Sequence, residues 1–98
     1  MAKYFAETYH ASDLQSYLHE QGHEHLRVRK YGDQLIIESG RDNDPIKHAR
    51  FRRVTVNYWT LEMATHTGKW EHTGLRGLLD DLRKMLVEDF GWVLTAIE

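Results

Sequence analysis

The sequence predicts an α+β fold, a two-layer sandwich of an antiparallel sheet of four or five strands with two helices on one face, in the order α-β-β-β-β(-β)-α. Three observations carry this expectation. Apolar residues recur at helical spacing near both ends of the chain, at period two through the middle, and turn formers punctuate the period-two stretch. Two apolar helix stripes need a sheet to cover, and a single sheet face suffices for both. Its other face is then left partly open.

Residues 3–9 alternate weakly and read as a short strand or an irregular arm. Ser12-Asp13-Leu14-Gln15 fits a capping box, Leu14, Tyr17 and Leu18 form one stripe, and Gly22 suits a left-handed helix end. The first helix is therefore expected over 13–21. From His25 the period becomes two, with Leu26 and Val28 on one face and Arg27, Arg29 and Tyr31 on the other. Gly32-Asp33 is a turn signal, so 25–31 and 34–39 read as a hairpin. Gly40 to Lys47 reads as a loop. Residues 48–56 alternate and then change phase between Phe51 and Val54, which predicts a β-bulge near Arg52-Arg53. Residues 58–65 alternate again, Thr67-Gly68 is a turn, and 69–72 forms a last short strand. Leu75, Leu78, Leu79, Leu82, Leu86 and Phe90 make the continuous stripe of a C-terminal helix. Gly91 ends it, and Trp92-Val93-Leu94 packs back on the core. The expected core is Leu26, Val28, Phe51, Trp59, Leu61, Leu78, Leu79, Leu82 and Leu86.

Ninety-eight residues, 41% hydrophobic and 29% charged, suit a single domain over 1–98. No apolar run exceeds three residues, well short of a membrane span or a signal-peptide core. The chain has no cysteine, which excludes disulfides, thiol catalysis and cysteine-based metal sites. The net charge of −2 is unevenly spread. Residues 1–24 hold one base and four acids, 25–56 eight bases and four acids, and 57–98 four bases and seven acids. A basic middle between acidic ends serves either an anionic partner or ion pairing within the fold.

His19-Glu20-Gln21-Gly22-His23 matches the H-E-x-x-H pattern of zinc metallopeptidases, whose chemistry needs both histidines on one face of a continuous helix. Gly22 reads as a helix end and strand pattern begins at His25, so catalysis there is a remote alternative and no enzymatic activity or cofactor is expected. His19, His23 and His25 are at most candidates for incidental metal capture. Asp42 and Asp44 are turn formers, since the glycine and terminal glutamate of a calcium loop are missing. Trp59 and Trp70 read as core or sheet-face packing.

The basic strands are the better functional candidate. Arg27 and Arg29 alternate on one strand and Arg50 and Arg52 on a later one. If the strands are close, four guanidiniums share a sheet face, with Tyr31, His25 or Tyr58 as stacking surface. Arginine suits bidentate phosphate contact, and basic aromatic sheets bind single strands. The competing expectation is a solvated face on which Glu38, Glu62 and Glu71 pair with these arginines. The alternative function is protein–protein contact or self-association through the open face and edge strands.

The order helix, three strands, helix resembles the double-stranded-RNA-binding domain in topology. The lysine cluster which that family carries at the start of its last helix is absent here, where Leu75-Arg76-Gly77 leads into Asp80-Asp81. The segment 48–92, with Ala49-Arg50-Phe51-Arg52, Trp59-Thr60-Leu61, Gly68-Lys69-Trp70-Glu71, Leu79-Asp80-Asp81-Leu82 and Glu88-Asp89-Phe90-Gly91-Trp92, resembles short bacterial proteins of unknown function. That resemblance implies a bacterial or phage-encoded cytoplasmic protein and brings no activity with it.

Overall fold

The computed structural model describes residues 4–41, 43–65 and 69–94. Helix α1 (Thr8–Glu20) leads into strands β1 (Arg27–Tyr31), β2 (Gln34–Arg41), β3 (Asp44–Arg53), β4 (Trp59–Ala64) and β5 (Trp70–Gly77), followed by α2 (Leu79–Asp89) and a 3₁₀ turn over Gly91–Leu94. The five strands form one antiparallel sheet in the order β1-β2-β3-β4-β5, so each pairs with its neighbours in sequence. This is the α+β fold expected, with the fifth strand formed. The likeness to a three-stranded RNA-binding domain stops at the outer elements.

Alternate strand residues Leu35, Ile37, Ala49, Phe51, Trp59 and Leu61 share one buried cluster with Leu14 and Leu18 of α1, Leu82 and Leu86 of α2, and Leu94. Val28 and Leu79 are partly buried against it. Leu78 is not core: it is the N-cap of α2 and is 53% exposed.

Helix α1 begins five residues earlier than expected. The capping box is formed by Glu7 and His10, whose Nδ1 accepts the Glu7 N–H at 2.9 Å. Ser12 and Gln15 lie inside the helix, and Gln15 Oε1 instead accepts the N–H of Val28 at 2.9 Å, occupying an edge donor of β1. Residues 4–7 form no strand, although Ala6 N–H donates to Gly32 O at 2.9 Å. At the other end Gly22 adopts φ 93°, and the N–H groups of Gly22 and His23 donate to His19 O and Leu18 O. This double bond pattern satisfies the last carbonyls and needs the positive φ that glycine supplies.

The stretch 40–47 is not a loop. Strand β2 runs to Arg41 and β3 starts at Asp44, with Gly40 opposite Pro45. Pro45 is tolerated because β4 pairs with β3 only over 49–53, so no neighbour there needs its missing N–H. Asp44 is the first residue of β3, while Asp42 lies outside the described residues, as does the Thr67-Gly68 turn. The bulge is also elsewhere. Ile37 pairs with Ala49 and Glu38 with Lys47, leaving His48 as the extra residue, whereas pairing through Arg52 and Arg53 is regular. The change of phase after Phe51 marks the end of β3; Val54 and Val56 belong to an exposed loop clamped by Arg53, whose Nε and Nη2 donate to Val56 O.

Strand β5 is longer than 69–72 and takes Leu75 from the helical stripe. Opposite Leu61 it places Thr73, Gly74 and Leu75, and the Thr73 hydroxyl fills the gap, donating to Leu61 O at 2.9 Å and accepting from Leu75 N–H. Gly74 and Gly77 take positive φ values, which a helix excludes. Asp80 and Asp81 then sit in the first turn of α2, where carboxylates favour the helix dipole.

Leu82→Ala should cost about 2–5 kcal/mol in chemical denaturation, as for other buried leucines, while Leu78→Ala should stay within about 0.5 kcal/mol. The His10 pKa is lowered by burial first and by the Arg53 charge second, against Glu7 and Asp13. The unfolded chain therefore takes up the proton first. The contribution of neutral His10 is full above its ordinary pKa of 6.5 and is lost as pH falls through the lowered folded value. Thermal melts of His10→Gln, which keeps an acceptor for the capping box, should lose less stability than wild type between pH 7 and about 5.

Candidate functional site on the open sheet face

The register brings the four predicted arginines onto one face. Arg29, Ile36, Arg50, Glu62 and His72 form one row across the sheet, and Tyr31, Gln34, Arg52, Thr60 and Arg76 form the next. Arg27 lies opposite Glu38, which in turn faces Lys47 across the bulge. All these side chains point away from the apolar cluster, because successive residues of a strand alternate between faces.

Charge compensation on this face is close but uneven. Glu62 is 2% exposed and accepts two bonds from Arg50, Nε to Oε1 and Nη2 to Oε2, each 3.0 Å. Arg50 Nη1 also donates to Gln34 Oε1 at 3.3 Å, and its guanidinium lies 4.5 Å from the Trp70 ring centroid. Arg50 is thus committed within the fold. Burial alone would raise the Glu62 carboxyl, but the Arg50 hydrogen bond, with the charges of Arg50, Arg52 and His72, holds it below the ordinary range. Glu38, 3% exposed, accepts from Arg29 Nε at 3.1 Å and lies 3.5 Å from Arg27 Nε. Arg27 also donates to the carbonyls of Gly40 and Arg41, tying down the end of β2.

Arg52 differs from the other three. Its Nε is 4.0 Å from Asp33 Oδ2, and that buried N–H has no hydrogen-bond partner. Arg29 and Arg52 keep 44% and 38% of their side chains exposed, and Tyr31 is 64% exposed. Of the expected carboxylate partners, Glu38 and Glu62 pair with arginines. Glu71 is opposite Met63 and so lies on the other face. Tyr58 and His25 are not in this constellation: Tyr58 follows the β3–β4 loop, and His25 precedes β1, donating from Nε2 to Leu94 O at 2.7 Å.

Three contributors were not in the sequence-based set. Lys47 and Arg76 join the face, and Trp70 supplies the surface against which Arg50 lies. The alternation of β5 through Arg76 was the available signal, obscured by the leucine spacing that suggested helix.

The HEQGH segment does not form a zincin helix. Helix α1 ends at Glu20, and His23 lies beyond Gly22. His19 Nε2 donates to Leu26 O at 2.7 Å, fixing the chain where it enters β1. The rings of His23 and His25 are 6.0 Å apart, and those of His25 and buried His48 6.2 Å. His48 Nε2 is bonded to Ser39 Oγ at 2.8 Å. Among the described residues no group of three or more His, Cys, Asp or Glu side chains is placed to hold a metal, and no helix is long and apolar enough to cross a membrane. Comparison with protein-family models, curated proteins and solved structures gives no match to the chain.

Arg50→Met should destabilise by about 3–5 kcal/mol, because it strands Glu62 as an uncompensated buried charge. In a denaturant series the double change Arg50→Met/Glu62→Leu should recover most of that loss. Equal destabilisation by the single and double variants would show that the carboxylate is not the source.

Proposed function

We propose that the protein is a small non-enzymatic binding module whose open sheet face takes up a polyanion, nucleic acid first. One observation carries the reading. Among the described residues of that face six cations (Arg27, Arg29, Lys47, Arg50, Arg52 and Arg76) meet three carboxylates, Asp33, Glu38 and Glu62, and Arg29 and Arg52 keep 44% and 38% of their side chains exposed. Arg50 and Arg27 organise the surface, while Arg29, Arg52 and Arg76 meet the ligand. Tyr31, beside Arg29 at 5.8 Å, offers a ring to a base. The acidic remainder of the chain repels polyanions at long range and keeps the affinity modest.

The competing reading is a protein contact, or self-association, in which the same arginines are anchors of a largely apolar interface. Salt separates the two. Three phosphate contacts on a single strand should lose roughly twentyfold in affinity between about 50 and 200 mM salt, from a slope of about −0.7 per contact. An apolar contact loses little over that range. Titration of labelled single- and double-stranded DNA and RNA at the two ionic strengths should show this slope, with Arg29→Glu/Arg52→Glu abolishing binding. Equal, negligible binding by wild type and variant would end the nucleic-acid reading.

A further inference from the structure

A second surface lies between the two helices. Tyr9, Asp13 and Glu20 fall on one side of α1, spaced by four and seven residues. Opposite them stand Leu78, at the N-cap of α2, and Asp80 and Arg83 in its first turns. The two concavities here share Asp13, Asp80 and Arg83 as lining and so form one groove. The groove changes character along its length. At one end Tyr9, Val56 and Leu78 are 59%, 54% and 53% exposed over a floor that includes Trp59. At the other end are Asp13, Glu20 and Asp80, all exposed.

The cation in this groove is already engaged. Arg83 lies 3.5 Å from Asp80 and 4.5 Å from the Tyr17 ring centroid. Among the described residues lining the groove, three carboxylates thus face one guanidinium, beside three solvent-facing apolar side chains. Exposed apolar surface of this kind, bordered by polar groups, is characteristic of contact sites. Charge complementarity selects the occupant. A second copy placed groove to groove would set carboxylate against carboxylate, and nucleic acid is repelled for the same reason.

We infer that this groove docks a cationic amphipathic segment of a partner protein, with a bulky apolar residue seated among Tyr9, Val56 and Leu78 and Lys or Arg side chains on Asp13, Glu20 and Asp80. From Tyr9 to Glu20 the helix rises about 16 Å, which matches about three turns of a bound helix. The site is separate from the arginine face, so the two ligands do not compete.

Random twelve-residue peptides displayed on phage are selected against the immobilised full chain, and synthetic copies of the enriched sequences are titrated by fluorescence anisotropy. The enriched sequences should combine a bulky apolar residue with Lys or Arg one to three turns away. Leu78→Asp and Asp13→Lys/Glu20→Lys should each weaken binding at least tenfold while keeping a near-wild-type thermal melt, because all three side chains are exposed. Arg29→Glu/Arg52→Glu should leave the peptide affinity unchanged. No enrichment, enrichment without basic bias, or binding indifferent to the groove variants overturns the inference. So does a wild-type dimer that Leu78→Asp dissociates, which would make a second copy the occupant.

Discussion

The architecture depends on how a sheet with one apolar face keeps its other face ordered without a covering layer. The central strand β3 has a neighbour on each side, and residues beside it become buried by their own neighbours: Ile36, Glu38 and Glu62 are each at most 5% exposed. Two of these are carboxylates. Each is buried under arginines, and Arg50 satisfies both oxygens of Glu62. A buried ion pair of this kind contributes little net stability compared with an apolar pair, because desolvation offsets the Coulombic gain. It does discriminate between registers. Sliding β4 one residue along β3 would turn Glu62 toward Phe51 and Leu61 toward solvent, removing a charge from its partner and an apolar side chain from the cluster together. The same arginines that hold the sheet in register give its outer face a positive balance.

Elements with one dominant period could be recognised from residues alone. Both helices, the β1–β2 hairpin and the shared face of the arginines follow from spacing, since period two puts Arg27 with Arg29 and Arg50 with Arg52. The misreadings have local physical causes. Gly40 to Lys47 is rich in turn formers, yet a hairpin needs only a short turn, and the outer ends of the strands tolerate Gly and Pro. Leu75 sits at helical spacing from Leu78 and Leu79, but Gly74 and Gly77 carry positive φ that spacing cannot express. The His48 bulge left no mark because it falls where the stretch that reads as a loop gives way to the alternation carried by Ala49 and Phe51, and a single histidine there suits either face. At the site, alternation revealed which cations share a face. It could not reveal that Arg50 is spent on Glu62 while Arg52 keeps an unpartnered N–H, because that depends on side-chain reach across strands.

The two surfaces have different physics. The sheet face is a lattice of charge held in place by cross-strand pairs, with the rings of Tyr31 and His72 strongly exposed on it. The helix groove lies over the opposite layer and combines apolar side chains with acidic ones. A module with a basic and an acidic side is electrically polar despite a net charge of only −2, so it orients in the field of a charged partner before contact.

Sequential strand order has a kinetic consequence. Each strand meets the one made just before it, so sheet formation closes only short loops and proceeds as successive hairpins. The exception is at the ends, where His25 bonds the carbonyl of Leu94 across 69 positions and Leu94 enters the core completely. That contact closes a long loop at a correspondingly larger entropic cost, and it joins the entry to the first strand with the 3₁₀ turn that follows α2. It acts as a clasp between the two ends of the chain, and the energy of opening it sets how readily the ends part while the five strands stay paired.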